Sequence, residues 1–157
     1  MIVPISEPWI TDYEKKIVLN SLNTPHLTDG PILRKFEAMF AKKTKSEHAL
    51  GVSNGTSALH LSLVGLGIGQ SDEVIIPDMT FIATANAVSH CGAYPYFVDS
   101  EASTLGMSPS ALREVLSGFE KVSGGLRNPV SGRRIAAIVP MHTLGHPVDI
   151  VGICSVA

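Results

Sequence analysis

The sequence predicts an α/β fold, a three-layer sandwich of buried parallel strands with crossover helices. Two observations carry this expectation. Short, continuously apolar runs (EVIIP at 73–77, YPYFVD at 94–99, IAAIVP at 135–140) recur along the chain. Between them lie longer segments whose apolar residues repeat at helical spacing. Strands that are apolar on both faces, joined by helices, belong to buried parallel sheets with crossover connections.

The elements follow in order. Residues 1–31 are rich in Pro, Thr and Asn around one helical pattern at 12–22, and read as an N-terminal arm that drapes over another surface. Residues 31–43 read as an amphipathic helix, with Ile32, Leu33, Phe36, Met39 and Phe40 on one face. A short apolar strand at 48–52 leads into Ser53, Asn54 and Gly55, and a helix at 56–67 follows. The strand at 73–77 precedes an Ala-rich helix at 80–91, and the strand at 94–99 precedes a helix at 108–119. Ser108 is placed to cap that helix, with Pro109 in its first turn. Residues 120–134 read as a loop, 135–140 as the last strand, and Asp149 as the start of a further helix. That helix meets the end of the chain without a cap or stop signal, so the C-terminus reads as a truncation.

Composition excludes several classes. A net charge of −2 provides no basic field for nucleic acid or an anionic membrane. No apolar run approaches the roughly 18 residues of a spanning helix, and residues 1–16 do not read as a secretory signal. Cys91 and Cys154 have neither metal-type spacing nor an evident disulfide framework, which fits a reducing cytosol. Charged residues make up only 17%, so some of the surface is expected to be covered by more chain or by a partner.

In α/β sheets ligands collect at the C-terminal ends of the strands, which marks the loops starting at Ser53, Pro77, Asp99 and Pro140. Asn54, Gly55, Thr56 and Ser57 open a helix, where free N–H groups and two hydroxyls could hold a phosphate; by themselves these residues read first as a capped helix after a tight turn. Phe81 follows the second strand and could stack on a planar ring or belong to the core. Asp99 could be a site residue or a turn cap. Gly65, Gly67 and Gly69 end a helix before a strand, so they form a C-cap and turn instead of a dinucleotide fingerprint. His142 and His146 lie four apart, but Gly145 and Pro147 break any helix that would put them on one face, so no metal site is assigned.

Together these motifs resemble one family. The run VSNGTSALHLSLVGLGIGQSDEVIIPDMTFIATANAVSHCGAYPYFVD, the later GRRIAAIVPMHTLGHPVDI and the earlier LTDGPILRKFEAMFA are similar to the DegT/StrS superfamily of pyridoxal-phosphate-dependent sugar aminotransferases. GHPVDI and the 120–134 insertion look most like the branch making amino sugars of the legionaminic-acid and perosamine type. The resemblance covers nearly all of the chain. It implies the large domain of a fold-type I pyridoxal-phosphate-dependent transferase, incomplete here at 32–157, with its remainder and a small C-terminal domain absent.

The resemblance further implies transfer of an amino group from L-glutamate to a keto group of a nucleotide-linked deoxysugar, by a cytoplasmic homodimer serving surface-polysaccharide synthesis. Gly55, Thr56 and Ser57 would hold the cofactor phosphate, and Phe81 would lie against its ring. Thr28, Asp29 and Gly30 would lie near substrate. The family's catalytic lysine matches none of Lys15, Lys16, Lys35, Lys42, Lys43, Lys45 and Lys121, and is expected beyond residue 157. Without it the chain is expected to be inactive by itself. Two other readings remain open at this point. One is a sugar dehydratase of the same family, with histidine in place of the lysine. The other is a non-catalytic binding module that has kept the phosphate loop.

Overall fold

The computed structural model describes residues 7–157. The chain forms two compact units, divided in sequence between Gly51 and Val52. Residues 1–6 of the expected arm lie outside the described residues.

In the first unit, α1 (Asp12–Leu22) begins at a capping box. The Thr11 hydroxyl accepts the N–H of Tyr13, and the Glu14 carboxylate accepts the N–H of Thr11 at 2.8 Å. Helix α2 (Pro31–Thr44) starts with Pro in its first turn and ends at Lys45 in the left-handed region, φ 56°. Its one buried residue, Glu37, accepts the N–H of Gly51 at 2.9 Å and pairs with Arg34 at 3.1 Å. Residues 48–52, expected as a strand, belong to no strand. An apolar run becomes a strand only with a neighbour to pair with, and here the N–H of Gly51 is taken by Glu37 instead.

The second unit contains α3 (Gly55–Gly65), β1 (Asp72–Pro77), α4 (Ile82–His90), β2 (Tyr94–Val98) and α5 (Pro109–Ser117). It continues with β3 (Glu120–Val122), β4 (Gly125–Arg127), β5 (Arg134–Ile138), a 3-10 turn (Thr143–Gly145) and α6 (Ile150–Val156). The sheet order is β2-β1-β5-β4-β3. Strand β1 lies parallel to both β2 and β5, while β3, β4 and β5 are antiparallel in succession.

Strand β1 shows why this is a three-layer sandwich. All six of its residues are buried, and they alternate between two cores. Val74 and Ile76 pack with Leu63 of α3 and with Ala87 and Val88 of α4. Ile75 packs on the other face with Leu112 of α5, Ile153 of α6, Val98, Met107 and Val148. The period of two along a strand thus sends one residue to each helical layer in turn. Ser108 caps α5 by accepting the N–H of Ala111, and Asp149 caps α6 by accepting that of Gly152. Leu66 closes α3, and Gly67 turns away from it at φ 73°.

The expected loop at 120–134 needs correction. Residues 120–127 form a hairpin whose two-residue turn, Ser123 and Gly124, sits between paired Val122 and Gly125. Gly124 and Gly125 have φ of 93° and 138°, a conformation that favours glycine. The hairpin extends the sheet beyond β5, making it mixed instead of wholly parallel. The segment after it is locked to the start of β1. Buried Asn128 donates to Glu73 at 2.8 Å, Arg134 donates twice to Asp72, and the Arg133 guanidinium lies 3.7 Å from the centre of the Tyr94 ring.

Candidate functional site

Three of the four loops marked by the strand-end rule, those starting at Ser53, Pro77 and Pro140, converge in the second unit. A cleft of about 530 Å³ is lined by Gly55, Thr56 and Leu59 of α3, by Phe81 and Thr84 at the start of α4, and by residues 139–142 after β5.

The first wall is the N-terminus of α3. Asn54 caps this helix: its side-chain oxygen accepts the N–H of Ser57 at 2.8 Å, and its carbonyl accepts that of Ala58 at 3.1 Å. The capping task therefore falls to Asn54 and not to Thr56 or Ser57. The N–H groups of Gly55 and Thr56 have no partner among the described residues. The Ser57 hydroxyl lies 3.4 Å from that of Ser53. A Cβ added at Gly55 would meet nothing within 4 Å, so the helix start is open to the cleft. Two free N–H groups, two hydroxyls and the positive end of a helix dipole make a suitable seat for a phosphate.

The second wall carries Phe81. At 71% exposure it is not part of this chain's core. Its N–H donates to the sulfur of Met141 at 3.3 Å, and the Thr80 hydroxyl lies 3.2 Å from the same sulfur. The loop after β1 is thus tied to the loop after β5. Beside it, the Asp78 carboxylate accepts the Ser100 hydroxyl and the Met79 N–H, each at 2.7 Å. The Ser100 bond is the main reason its pKa lies below the usual range, with burial opposing. Asp99 enters the fold through its carbonyl, which accepts the N–H of Ser108 at 2.9 Å.

His142 lines the cleft, and its Nδ1 lies 3.1 Å from the Val148 nitrogen. His146 donates its backbone N–H to Thr143 at 2.9 Å. Lys121, the one lysine of the second unit, sits on β3 and does not line the cleft. Thr28, Asp29 and Gly30 belong to the first unit, where Asp29 pairs with Arg34 at 2.6 Å and Gly30 precedes α2. A Cβ at Gly30 would come within 2.7 Å of His26, so a larger residue would displace this turn. The ties from Met141 to Phe81 and from His142 to Val148 are contacts that sequence reasoning missed. The first spans 60 residues, and neither has a local signature.

An α/β sandwich with an uncommitted helix N-terminus and an exposed aromatic at the strand ends belongs to a class that can hold a phosphate beside a flat ring. The comparisons with known proteins give that class a family. A sequence profile of the DegT/DnrJ/EryC1/StrS aminotransferase family matches residues 8–157, and the chain belongs to that family. It is 37% identical over 156 residues to GDP-perosamine synthase of Escherichia coli O157:H7, covering 99% of this chain and 39% of that protein. GDP-perosamine synthase of Caulobacter vibrioides is 34% identical, with 99% and 38% covered. Among solved structures, NtdA from Bacillus subtilis with bound cofactor PMP superposes with a TM-score of 0.75 at 29% identity, over 94% of this chain and 32% of that one. The chain thus spans about two-fifths of the length of these curated relatives.

Pyridoxal 5′-phosphate is the cofactor of this family, and the residues of the cleft fit it. The open helix start at Gly55 suits its phosphate, and the exposed Phe81 suits its ring. Among the described residues no helix is long and apolar enough to cross a membrane.

Proposed function

We propose that this chain supplies the phosphate- and ring-binding side of the cofactor site in a nucleotide-sugar aminotransferase. The observation that carries the reading is the single cleft shared by the free N–H groups of Gly55 and Thr56 and the exposed ring of Phe81. The amino group moves from L-glutamate to a keto group of a nucleotide-linked deoxysugar. The enzyme works as a cytoplasmic homodimer in surface-polysaccharide synthesis. Kinship with two GDP-perosamine synthases supports a GDP-linked sugar as the substrate class.

When bound, the cofactor supplies an electron sink for amino-group transfer. The chain's residues have narrower tasks. Gly55, Thr56 and Ser57 anchor the phosphate with N–H and hydroxyl donors, which fixes the ring's position without a lysine or arginine. Phe81 covers one face of the ring, excluding water and setting its tilt. Met141 holds the backbone of that platform. Thr28, Asp29 and Gly30 contact substrate. Among the described residues no lysine lines the cleft.

The ring platform is tested by Phe81→Trp. Pyridoxal phosphate is expected to quench the added indole emission over the concentrations at which it binds. Quenching no greater than that of wild type, which contains only Trp9, would remove Phe81 from the site. The purified 157-residue chain is expected to transfer no amino group from glutamate to a 4-keto sugar nucleotide. Measurable turnover would mean that one of its own seven lysines carries the chemistry.

A further inference from the structure

The loop after β2, residues 99–107, does not line the cleft, but it is closed tightly on itself. The N–H of Glu101 donates to the carbonyl of Gly106 at 2.8 Å, and that of Leu105 to the carbonyl of Glu101 at 2.9 Å. Between these bonds Leu105 takes φ 56°, a left-handed conformation that is costly for a residue with a Cβ. Such a residue persists only where its surroundings hold it. Here the loop after β5 does so: buried Thr143 donates its hydroxyl to the Leu105 carbonyl at 2.8 Å. Gly106 then lets the two loops close on each other. A Cβ there would lie 2.6 Å from a methyl carbon of buried Val148 and 3.2 Å from the Met141 carbonyl oxygen. The backbone of Met141 is thus seated against the loop after β2. Its sulfur, in turn, accepts the Phe81 N–H at 3.3 Å and lies 3.2 Å from the Thr80 hydroxyl.

We propose that the loop after β2 sets the position of Phe81 through the loop after β5, with Thr143 and Gly106 as positioning residues that act through Met141. Neither residue lines the cleft. Phe81 is 71% exposed, so it has little packing of its own, and the ties of its backbone decide where the ring stands. A platform held in place before the ligand arrives has less freedom to lose on binding. That consequence for affinity rests on the cofactor reading above; the chain of contacts does not. A second tie, from the Ser100 hydroxyl to the Asp78 carboxylate at 2.7 Å, bypasses Thr143, so the loop after β1 keeps one anchor when Thr143 is changed.

Thr143→Val keeps the shape of the side chain and removes the hydroxyl, and Thr143→Ser keeps the hydroxyl. Amide hydrogen exchange of the full 157-residue chain, without cofactor, reads the tie directly. The Phe81 N–H is expected to exchange about tenfold faster in Thr143→Val and at the wild-type rate in Thr143→Ser. A general loss of stability would instead speed the amides of buried β1, which open only with the whole fold, and leave the locally opening Phe81 amide unchanged. Met141→Leu, which removes the sulfur, is expected to speed Phe81 exchange as well, and adding Thr143→Val to it to bring no further increase. In titrations with pyridoxal phosphate, Thr143→Val is expected to bind about tenfold more weakly and Thr143→Ser like wild type. Unchanged Phe81 exchange in Thr143→Val would overturn the proposal. So would faster exchange with unchanged affinity, or effects that multiply in the double variant. Failure of wild type to bind pyridoxal phosphate would overturn the cofactor reading, and the exchange result would still decide the tie.

Discussion

Gly55→Ala is expected to weaken pyridoxal-phosphate binding by an order of magnitude or more while leaving the protein at least as stable as before. The two halves of this result have separate causes. Gly55 is the first residue of α3, and an added Cβ would meet no protein atom within 4 Å. Alanine therefore fits the folded chain without strain, and it restricts the unfolded chain, which stabilises by about 0.4–1 kcal/mol. The methyl group would project into the open space that the phosphate needs in order to reach the N–H groups of Gly55 and Thr56. Tenfold in affinity corresponds to about 1.4 kcal/mol, comparable to one charge-assisted hydrogen bond. If the loop were only a helix cap, the same substitution would stabilise the fold and change nothing else. Calorimetric titration with pyridoxal phosphate, alongside urea unfolding, reads both halves.

The second large effect is at the other end of the sheet. Asp72→Ala is expected to destabilise the fold by about 3 kcal/mol, because several charge-assisted hydrogen bonds go at once. Asp72 opens β1 and is 6% exposed. It accepts Nε and Nη2 of Arg134, the first residue of β5, at 2.8 and 3.0 Å, and the N–H of Gly69 at 3.0 Å. The bidentate pair joins the ends of the two central strands, which are in register at this position. The Arg134 side chain is 53% exposed and can turn to water when its partner is removed, which keeps the cost below that of a fully buried pair.

The same contact sets a pH dependence. The Arg134 hydrogen bonds, aided by the Gly69 N–H and the Arg134 charge and opposed by burial, hold the Asp72 carboxyl below its usual pKa. A folded-state pKa below the unfolded one means stability that is complete above the unfolded value, about 3.9, and lost as pH falls through the folded value. The stability gap between wild type and Asp72→Asn is therefore expected to be full at neutral pH and to shrink as the pH falls below about 4. Urea titrations at pH 7 and pH 3 measure it. A gap independent of pH would show that Asp72 contributes through shape alone.

The sequence was most informative where one local rule decides the structure. The helical pattern at 12–22 became α1, and the structure adds the Thr11–Glu14 capping box that starts it. Ser108 followed by Pro109 fixes the start of α5 in the same way. The three long apolar runs became β1, β2 and β5; β1 is buried throughout, whereas Tyr94 and Phe97 of the edge strand β2 stay exposed. Long-range pairing was not legible. The hairpin at 120–127 has strands of only three residues, too short to show alternation, although Gly124 and Gly125 do signal a tight turn. Residues 48–52 read as a strand because their composition suits one, but pairing is a property of two segments. At the site, the helix start and Phe81 stood out from the motif and the strand-end rule. The Met141 and His142 ties did not, since backbone N–H to side-chain contacts at 60 and 6 residues' separation leave no pattern. Nor did the sequence show that Asn54 caps α3 by taking the N–H of Ser57, leaving those of Gly55 and Thr56 without a partner among the described residues.

We place the phosphate of the cofactor at the start of α3. The most direct test compares pyridoxal phosphate with pyridoxal, which has the same ring and no phosphate, in titrations of the wild-type chain. Pyridoxal phosphate is expected to bind at least about a hundredfold more tightly, as two charge-assisted hydrogen bonds to a phosphate require. Equal affinity for the two compounds would contradict the claim.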